Sequence, residues 1–534
     1  MKKFLLSIFT FLIPFLSFAQ EVTEKGLDDK VNEWFTPISN AWSGFVFTSV
    51  KFSEDVSMPI VIIWLLLAGL VFTLVFKFVN IRLIGTSINI VRGKYDDVDH
   101  VTAEPMAGDV TPGGDSIETI RVEGHEGEVS HFQALTAALS GTVGLGNIAG
   151  VAIAISLGGP GATFWMIIAG LLGMSSKFVE CTLGVKYRDV GEDGTVYGGP
   201  MYYLKKGLTD VGKGGLGKVL AVIFAVMCIG GSFGGGNMFQ ANQAAQQFNS
   251  MIGAESASAG VIFGIVMAIV VAIVIIGGIK RIGKITERVV PFMVGIYFLA
   301  ALIIIVMNFG SIGWAFGQII DGAFNAKGVS GGVLGVLIIG FQRAAFSNEA
   351  GVGSAAIAHS AVKTKYPASE GLVALLEPFI DTVVVCTMTA LVIIITNGDG
   401  SIMTYGVAEA DGVLATSKAF ASALPWFPYV LTVAVVLFAF STMLSWSYYG
   451  LQSWMFLFGR SKASDYTFKI LFCLFIVIGS AASLGAVTGF SDAMIFAMSV
   501  PNVIGLYFLF PKVREEVKRY LSAIKAKKAE KASA

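Results

Sequence analysis

Eleven stretches of this chain are apolar over about the length a helix needs to cross a bilayer. They run over approximately 57–79, 131–157, 161–184, 217–240, 258–279, 289–309, 330–360, 367–396, 427–450, 466–485 and 490–510. So many lipid-length segments leave few folds open. Backbone amides and carbonyls surrounded by hydrocarbon must be bonded within the protein, and the α-helix does this inside one segment. The expected fold class is therefore all-α: a polytopic membrane protein with 11 transmembrane helices. Composition agrees, with 54% hydrophobic and 14% charged residues. A soluble domain carries about a quarter charged residues. The formal net charge of +0 gives no argument for nucleic acid as a partner. Cys181, Cys228, Cys386 and Cys473 lie in apolar stretches with no CxxC pair, and read as small buried hydrophobes.

Lys2 and Lys3 precede an apolar run from Phe4 to Phe18, and Ser17-Phe18-Ala19 resembles a cleavage site. Residues 1–19 thus read as a signal peptide. Lysine and arginine fall almost wholly in alternate loops: Lys186, Arg188, Lys205 and Lys206; Lys280, Arg281, Lys284 and Arg288; Lys363 and Lys365; Arg460, Lys462 and Lys469. The intervening loops hold only Lys327 and Lys418. The basic set is cytoplasmic by the positive-inside rule. This predicts residues 20–56 outside, a peripheral helix over 57–79, an acidic cytoplasmic loop over 80–130 and a basic cytoplasmic tail over 511–534.

Two of the apolar segments are interrupted. The first contains Ser140-Gly141-Thr142-Val143-Gly144-Leu145-Gly146-Asn147, with no Lys, Arg, Asp or Glu between His131 and Ser176. Each glycine weakens a helix by roughly 1 kcal/mol relative to alanine. A break in lipid persists only where a cavity, protein or ligand satisfies the freed backbone. Half-helix amides suit a carboxylate and freed carbonyls suit a cation; a small-residue packing face is the alternative. The second runs from Gly340 to Gly353 and carries Arg343 and Glu349. Ionisable groups inside an apolar segment point to function, or to a buried pair of Arg343 with Glu349 or with a neighbouring helix. Counting 131–157 as the first helix of a repeat, 330–360 is the sixth. Five helices per unit is odd, so the second unit (330–510) is inverted relative to the first (131–309), and paired interrupted helices in inverted halves point to a transporter site.

The runs SHFQALT (130–136), GTVGLGNIAGVA (141–152), GGPGATFWM (158–166), GGPMYYL (198–204), GGGNM (234–238) and FQRAAFSNEAGVGSAAIAHSA (341–361) together resemble the alanine/glycine:cation symporter family. The resemblance implies a LeuT-type 5+5 inverted repeat and uptake of alanine or glycine with co-transported sodium by alternating access. It also implies a place in the cell (inner) membrane. The likeness of the first break to the unwound helix of LeuT-type symporters implies substrate contacts at Thr142, Gly144, Leu145 and Gly146. It implies one sodium site from the Thr142 carbonyl and the Asn147 side chain. A second would take carbonyls of Ser140 and Val143 and hydroxyls of Ser441 and Thr442; ordinary interhelical bonding is the bland reading of those hydroxyls. No acidic side chain lies in the first break, so the substrate carboxylate could supply negative charge to the ion.

Other positions stay open. Asn237, Gln240 and Asn242 suit an ammonium contact, an outer gate or an interfacial cap. Phe341, Phe346 and Asn348 suit walls of the site, or packing. Glu377 and Asp381 share one helix face and pair with Arg343 or sit solvated. His359 and Glu370 read as cytoplasmic and without a role. The competing functions are proton-coupled transport through Glu349, Glu377 or Asp381, and a passive channel. Four histidines and no HExxH motif speak against an intramembrane enzyme, and the absence of a P-loop against an ATP-driven pump.

Overall fold

The computed structural model describes residues 26–51, 57–99, 127–191, 195–254, 256, 258–325, 331–407 and 412–533. The expected signal peptide and most of the acidic loop lie outside them. Helix α1 (Leu27–Val46) and a short antiparallel hairpin, β1 (Ser49–Lys51) with β2 (Ser57–Pro59), precede the first apolar helix, α2 (Ile60–Val75). Asp28 of α1 accepts the Gly260 and Val261 amides at 3.0 and 3.1 Å, capping a helix far away in sequence. Burial pushes its carboxyl above the usual range, against the pull of those amides. Helix α3 (Ile84–Val91) leads towards Asp99.

Helix α4 (His131–Thr142) begins with a reciprocal cap. The Ser130 hydroxyl accepts the Gln133 amide and the Gln133 side chain accepts that of Ser130. After the glycine break come one π-helical turn (Gly146–Gly150) and α5 (Val151–Gly158), with a 52° bend between the halves. Helix α6 (Gly161–Lys186) follows, then a hairpin of β3 (Asp189–Val190) and β4 (Val196–Tyr197), and α7 (Pro200–Asp210). Helix α8 (Gly214–Phe233) passes through a π-helical turn at Gly234–Met238 into α9 (Phe239–Ile252). Helices α10 (Ala259–Ile275), α11 (Gly278–Met307) and α12 (Ile312–Phe324) complete the first half.

A second interrupted helix follows. Helix α13 (Gly332–Asn348) breaks before α14 (Ala355–His359). A span from α15 (Pro367–Ala374) runs through Leu376–Pro378 and a π-helical stretch (Phe379–Cys386) into α16 (Thr387–Thr396). Then come α17 (Val413–Ala423), α18 (Phe427–Phe458), α19 (Lys462–Ala481) and α20 (Leu484–Ser533). Among the described residues, seven helices are long and apolar enough to cross a membrane, and the bent pair α4–α5 makes an eighth. The helices α2, α10 and α13 are apolar but shorter. Large hydrophobics of α10 and α11 (Ile265, Ile269, Ile273, Leu299, Val306) stay exposed, as a lipid-facing surface requires.

Three segments differ from expectation. Residues 511–533 continue α20 as helix past Pro511, because Val513, Tyr520 and Ile524 are buried. The loop regions 310–329 and 396–426 contain α12 and α17. Helix α12 packs on α6 so closely that a Cβ on Gly161 would lie 2.2 Å from the Gly322 carbonyl carbon. Helices α4, α6, α13, α14 and α15 pack together, and α4 also packs on α11 and α18. The π-helical turn of α8–α9 sits against α18, where a Cβ on Gly236 would lie 2.1 Å from Trp446 Cγ. Gly236→Ala is expected to destabilise by about 1–3 kcal/mol, the usual cost of overpacking. Thermal unfolding in detergent checks this, and an unchanged midpoint would contradict it.

Candidate functional site

Both breaks open onto one buried cavity. It is lined by Gly141, Thr142 and Gly146 from the first break, and by Phe346, Ser347 and Glu349 from the second. Gly235, Gln240, Trp446 and Ile495 close it. Its volume of about 10 Å³ is barely room for one water molecule. An amino acid enters only if these walls part.

The amides that would continue the α4 ladder turn away from it. Gly144 donates to Asn147 Oδ1 at 3.0 Å, and Leu145 donates to Gln240 Oε1 at 3.0 Å. The carbonyls of Ser140 and Gly141, four residues back, therefore lose their helical partners. Beside them the Ser140 hydroxyl donates to the Ser441 carbonyl at 2.8 Å, joining α4 to α18. The Thr442 hydroxyl is fully buried there with no hydrogen-bond partner. A buried polar atom without a partner costs free energy, and a water or ligand bound here would relieve that cost. A Cβ on Gly144 would lie 2.5 Å from that hydroxyl, so glycine leaves the approach open.

A second convergence lies on the other side of the break. Asn147 Nδ2 donates to Asp381 Oδ1 at 2.7 Å and to the Asp381 carbonyl at 3.0 Å. Ser347 and Thr382 donate to Asp381 Oδ2 at 2.9 and 2.7 Å. The π-helical stretch Phe379–Cys386 carries this carboxylate, fully buried, to the meeting point of both breaks. An acid thus reaches the first break from another helix, although the break itself holds none. Its signal in the sequence was an acidic residue inside the apolar segment 367–396. Glu377 and Asp381 are buried rather than solvated, and neither pairs with Arg343.

Of the positions expected at the substrate, Thr142, Gly146, Gln240 and Phe346 line the cavity. Gly144, Leu145, Phe341 and Asn348 do not. Phe341 faces Trp165, with ring centroids 6.5 Å apart. Asn348 donates to Thr382 at 2.9 Å and accepts the Ala350 amide at 3.0 Å, so it fixes the second break. Asn237 and Asn242 donate to carbonyls of Phe472, Gly479 and Ala482 on and after α19, which makes them interhelical ties. Gly235, Trp446 and Ile495 carried no signal in the sequence beyond the GGGNM run.

The charges of the second break are separate. Arg343 pairs with Asp492 of α20, and Gln342 donates to the same carboxylate at 3.0 Å. Glu349 takes a left-handed backbone (φ 55°), a costly conformation for a residue with a side chain. Ser354 donates to one of its oxygens, and Trp446 Nε1 to the other at 3.0 Å. The two residues do not form a pair. His359 and Glu370 are fully buried and bonded to each other at 2.5 Å.

A family model described as the sodium:alanine symporter family matches residues 45–534. The sodium/alanine symporter AgcS of Methanococcus maripaludis is 44% identical over 399 residues, covering 74% of this chain and 85% of that protein. The amino-acid carrier protein AlsT of Bacillus subtilis is 35% identical over 402 residues, covering 74% and 81%. The crystal structure of MhsT in complex with L-phenylalanine superposes with a TM-score of 0.50 at 17% identity, covering 72% of this chain and 90% of that one. At that identity the likeness concerns the fold alone, which is the LeuT type.

The buried Arg343–Asp492 pair supports one prediction. Arg343→Met leaves Asp492 charged and unpaired, which should cost about 3–5 kcal/mol. Adding Asp492→Leu should recover most of that loss. Unfolding midpoints of the two single variants and the double variant check it, and equal additive losses would contradict it.

Proposed function

Because this chain belongs to the sodium:alanine symporter family, we propose that it imports a small neutral amino acid, alanine or glycine, coupled to sodium by alternating access. The single observation that carries this reading is the convergence of two broken helices on one buried cavity flanked by oxygen-rich, cation-suited positions. Hard cations prefer oxygen ligands. One sodium site combines the Thr142 carbonyl and Asn147 with Ser347 and Asp381. The other combines the carbonyls of Ser140 and Val143 with the hydroxyls of Ser441 and Thr442. The substrate carboxylate meets the amides of Leu145 and Gly146 once Gln240 releases the Leu145 amide it now accepts. Phe346 and Trp446 restrict side-chain size.

The same reading takes eleven crossings, with 131–309 and 330–510 as inverted units and 57–79 as a peripheral helix. Residues 20–56 face outwards, and the basic tail faces the cytoplasm in the cell (inner) membrane. The cluster α4, α6, α13–α16 rocks against α8–α11, α18 and α19. In such a cycle, a cavity as small as this one belongs to an occluded step. Ser140 and Ser445 tie α4 to α18 across the moving interface, at 2.8 and 3.0 Å.

In proteoliposomes, an inward sodium gradient is expected to drive accumulation of labelled alanine or glycine. Absence of gradient-driven uptake across alanine, glycine and serine would overturn the reading. Asp381→Asn and Thr442→Val should each raise the sodium concentration for half-maximal uptake by about tenfold or more, as loss of metal-site support usually does. Sodium dependence unchanged in both would remove these residues from the ion sites.

A further inference from the structure

Helix α1 follows the first half of α20. Its Asn32 side chain accepts the Ser483 amide at 2.9 Å, just before α20 starts. Ser39 donates to the Ala486 carbonyl at 2.6 Å, and Phe35 meets Phe490 with ring centroids 5.2 Å apart. Phe47, directly after α1, meets Phe496 at 5.7 Å. From Ser483 to Phe496 these contacts cover about 20 Å of helix. Half of a hydrocarbon core is about 15 Å. Ile495, the neighbour of Phe496, lines the cavity between the two broken helices, a position that transporters place near the bilayer midplane. Helix α1 therefore ends close to that depth.

The side of α1 turned away from α20 is apolar. Trp34, Ile38, Ala41 and Phe45 recur at helical spacing and form one exposed stripe. Trp34 is 59% exposed and Phe45 71%. Charge stops where the stripe begins: Asp28, Asp29, Lys30 and Glu33 occupy the first two turns, and no charged residue occurs from Trp34 to Val50. Asp28 caps α10 at Gly260 and Val261, so α1 starts beside the lipid-facing Ile262, Ile265 and Ile269 of that helix. Helix α2 begins where α1 ends. The Thr48 carbonyl accepts the Ile60 amide at 3.1 Å across the β1–β2 hairpin. From there α2 runs on along α20: Trp64 meets Tyr507 at 5.5 Å, and Arg514 donates to the Val75 carbonyl at 3.2 Å. Its 16 residues cover about 24 Å, short of the roughly 30 Å of a hydrocarbon core.

We propose that α1 is embedded in one leaflet, with Trp34, Ile38 and Phe45 against acyl chains, and that α1 and α2 together make the first crossing. Under the orientation proposed above this is the outer leaflet. Residues 34–46 then belong to lipid and not to the aqueous side, a revision independent of what the carrier transports. Each helix covers one half of the crossing, α1 beside Ser483–Phe496 and α2 beside Tyr507–Arg514. The charges of the first two turns stay at the interface, and Trp34 sits at the headgroup level that suits its ring.

Nitroxide accessibility in the full-length protein tests this. Ile38→Cys and Phe45→Cys, each with Cys473→Ala, are spin-labelled under native conditions, in which the buried Cys181, Cys228 and Cys386 stay unlabelled. The labelled proteins are reconstituted into phosphatidylethanolamine–phosphatidylglycerol vesicles. Oxygen, which concentrates in hydrocarbon, is expected to relax both labels more strongly than a water-soluble nickel chelate, with the larger ratio at Phe45→Cys. At Asp29→Cys the order is expected to reverse. Nickel exceeding oxygen at Phe45→Cys would place the end of α1 in water and overturn the proposal. Weak relaxation by both reagents would show that protein, such as a second copy, covers the stripe, and would equally overturn it. On intact cells, Asp29→Cys is expected to react with a membrane-impermeant maleimide. Protection there, with oxygen still favoured at Phe45→Cys, would overturn the orientation and not the embedding.

Discussion

An interrupted helix inside a lipid-immersed protein leaves backbone groups that cannot turn to water, and most of this structure answers that constraint. At the first break the Gly144 and Leu145 amides find side-chain oxygens from Asn147 and Gln240. Asn147 in turn leans on Asp381, and Asp381 on Ser347 of the second break. The two breaks are therefore one hydrogen-bonded unit, reached by α9 and by the π-helical stretch before α16. What the unit leaves open is as informative as what it closes. The Ser140 carbonyl loses its helical amide, and the Thr442 hydroxyl stays without a hydrogen-bond partner between α4 and α18.

On the proposed function, this arrangement would couple ion and substrate by geometry. The Leu145 amide suited to a carboxylate is held by Gln240 in the closed state, so substrate has to displace an existing bond. The oxygens suited to sodium belong to residues on both sides of the interface that must slide. In the proposed cycle, a cation bound between Ser140 and Thr442 would stitch α4 to α18, and one near Asn147 and Asp381 would stitch the first break to the second. Occupancy of both would then favour closure, and an empty site would leave the Ser140–Ser441 and Ser445–Ala137 bonds to hold the contact alone.

The helical membrane fold was legible in the sequence, because apolar length reports directly on lipid crossing. The broken segments were legible for the same reason: glycine beside uncharged polar residues has few uses in hydrocarbon. What the sequence hid was pairing across distance. Arg343 finds Asp492, and Lys177 finds Glu377, and nothing in local spacing distinguishes these partners from Glu349 or Asp381. Trp446 reads as one more aromatic on an apolar helix, yet it holds Glu349 at the cavity wall. Asn348 sits in the right segment, but the left-handed turn at Glu349 directs it to Thr382 and away from the cavity. Side-chain direction at a helix break depends on the break's own backbone, which periodicity does not report.

The central claim is that sodium and the amino acid bind at one coupled site. Reciprocal binding to the purified protein tests it most directly: alanine affinity measured with and without sodium, and radioactive sodium affinity measured with and without alanine. Linkage requires the two factors to be equal, and a coupling of about 5- to 150-fold is typical of such sites. The account predicts that each ligand tightens the other by the same factor within that range. Alanine binding indifferent to sodium would contradict it.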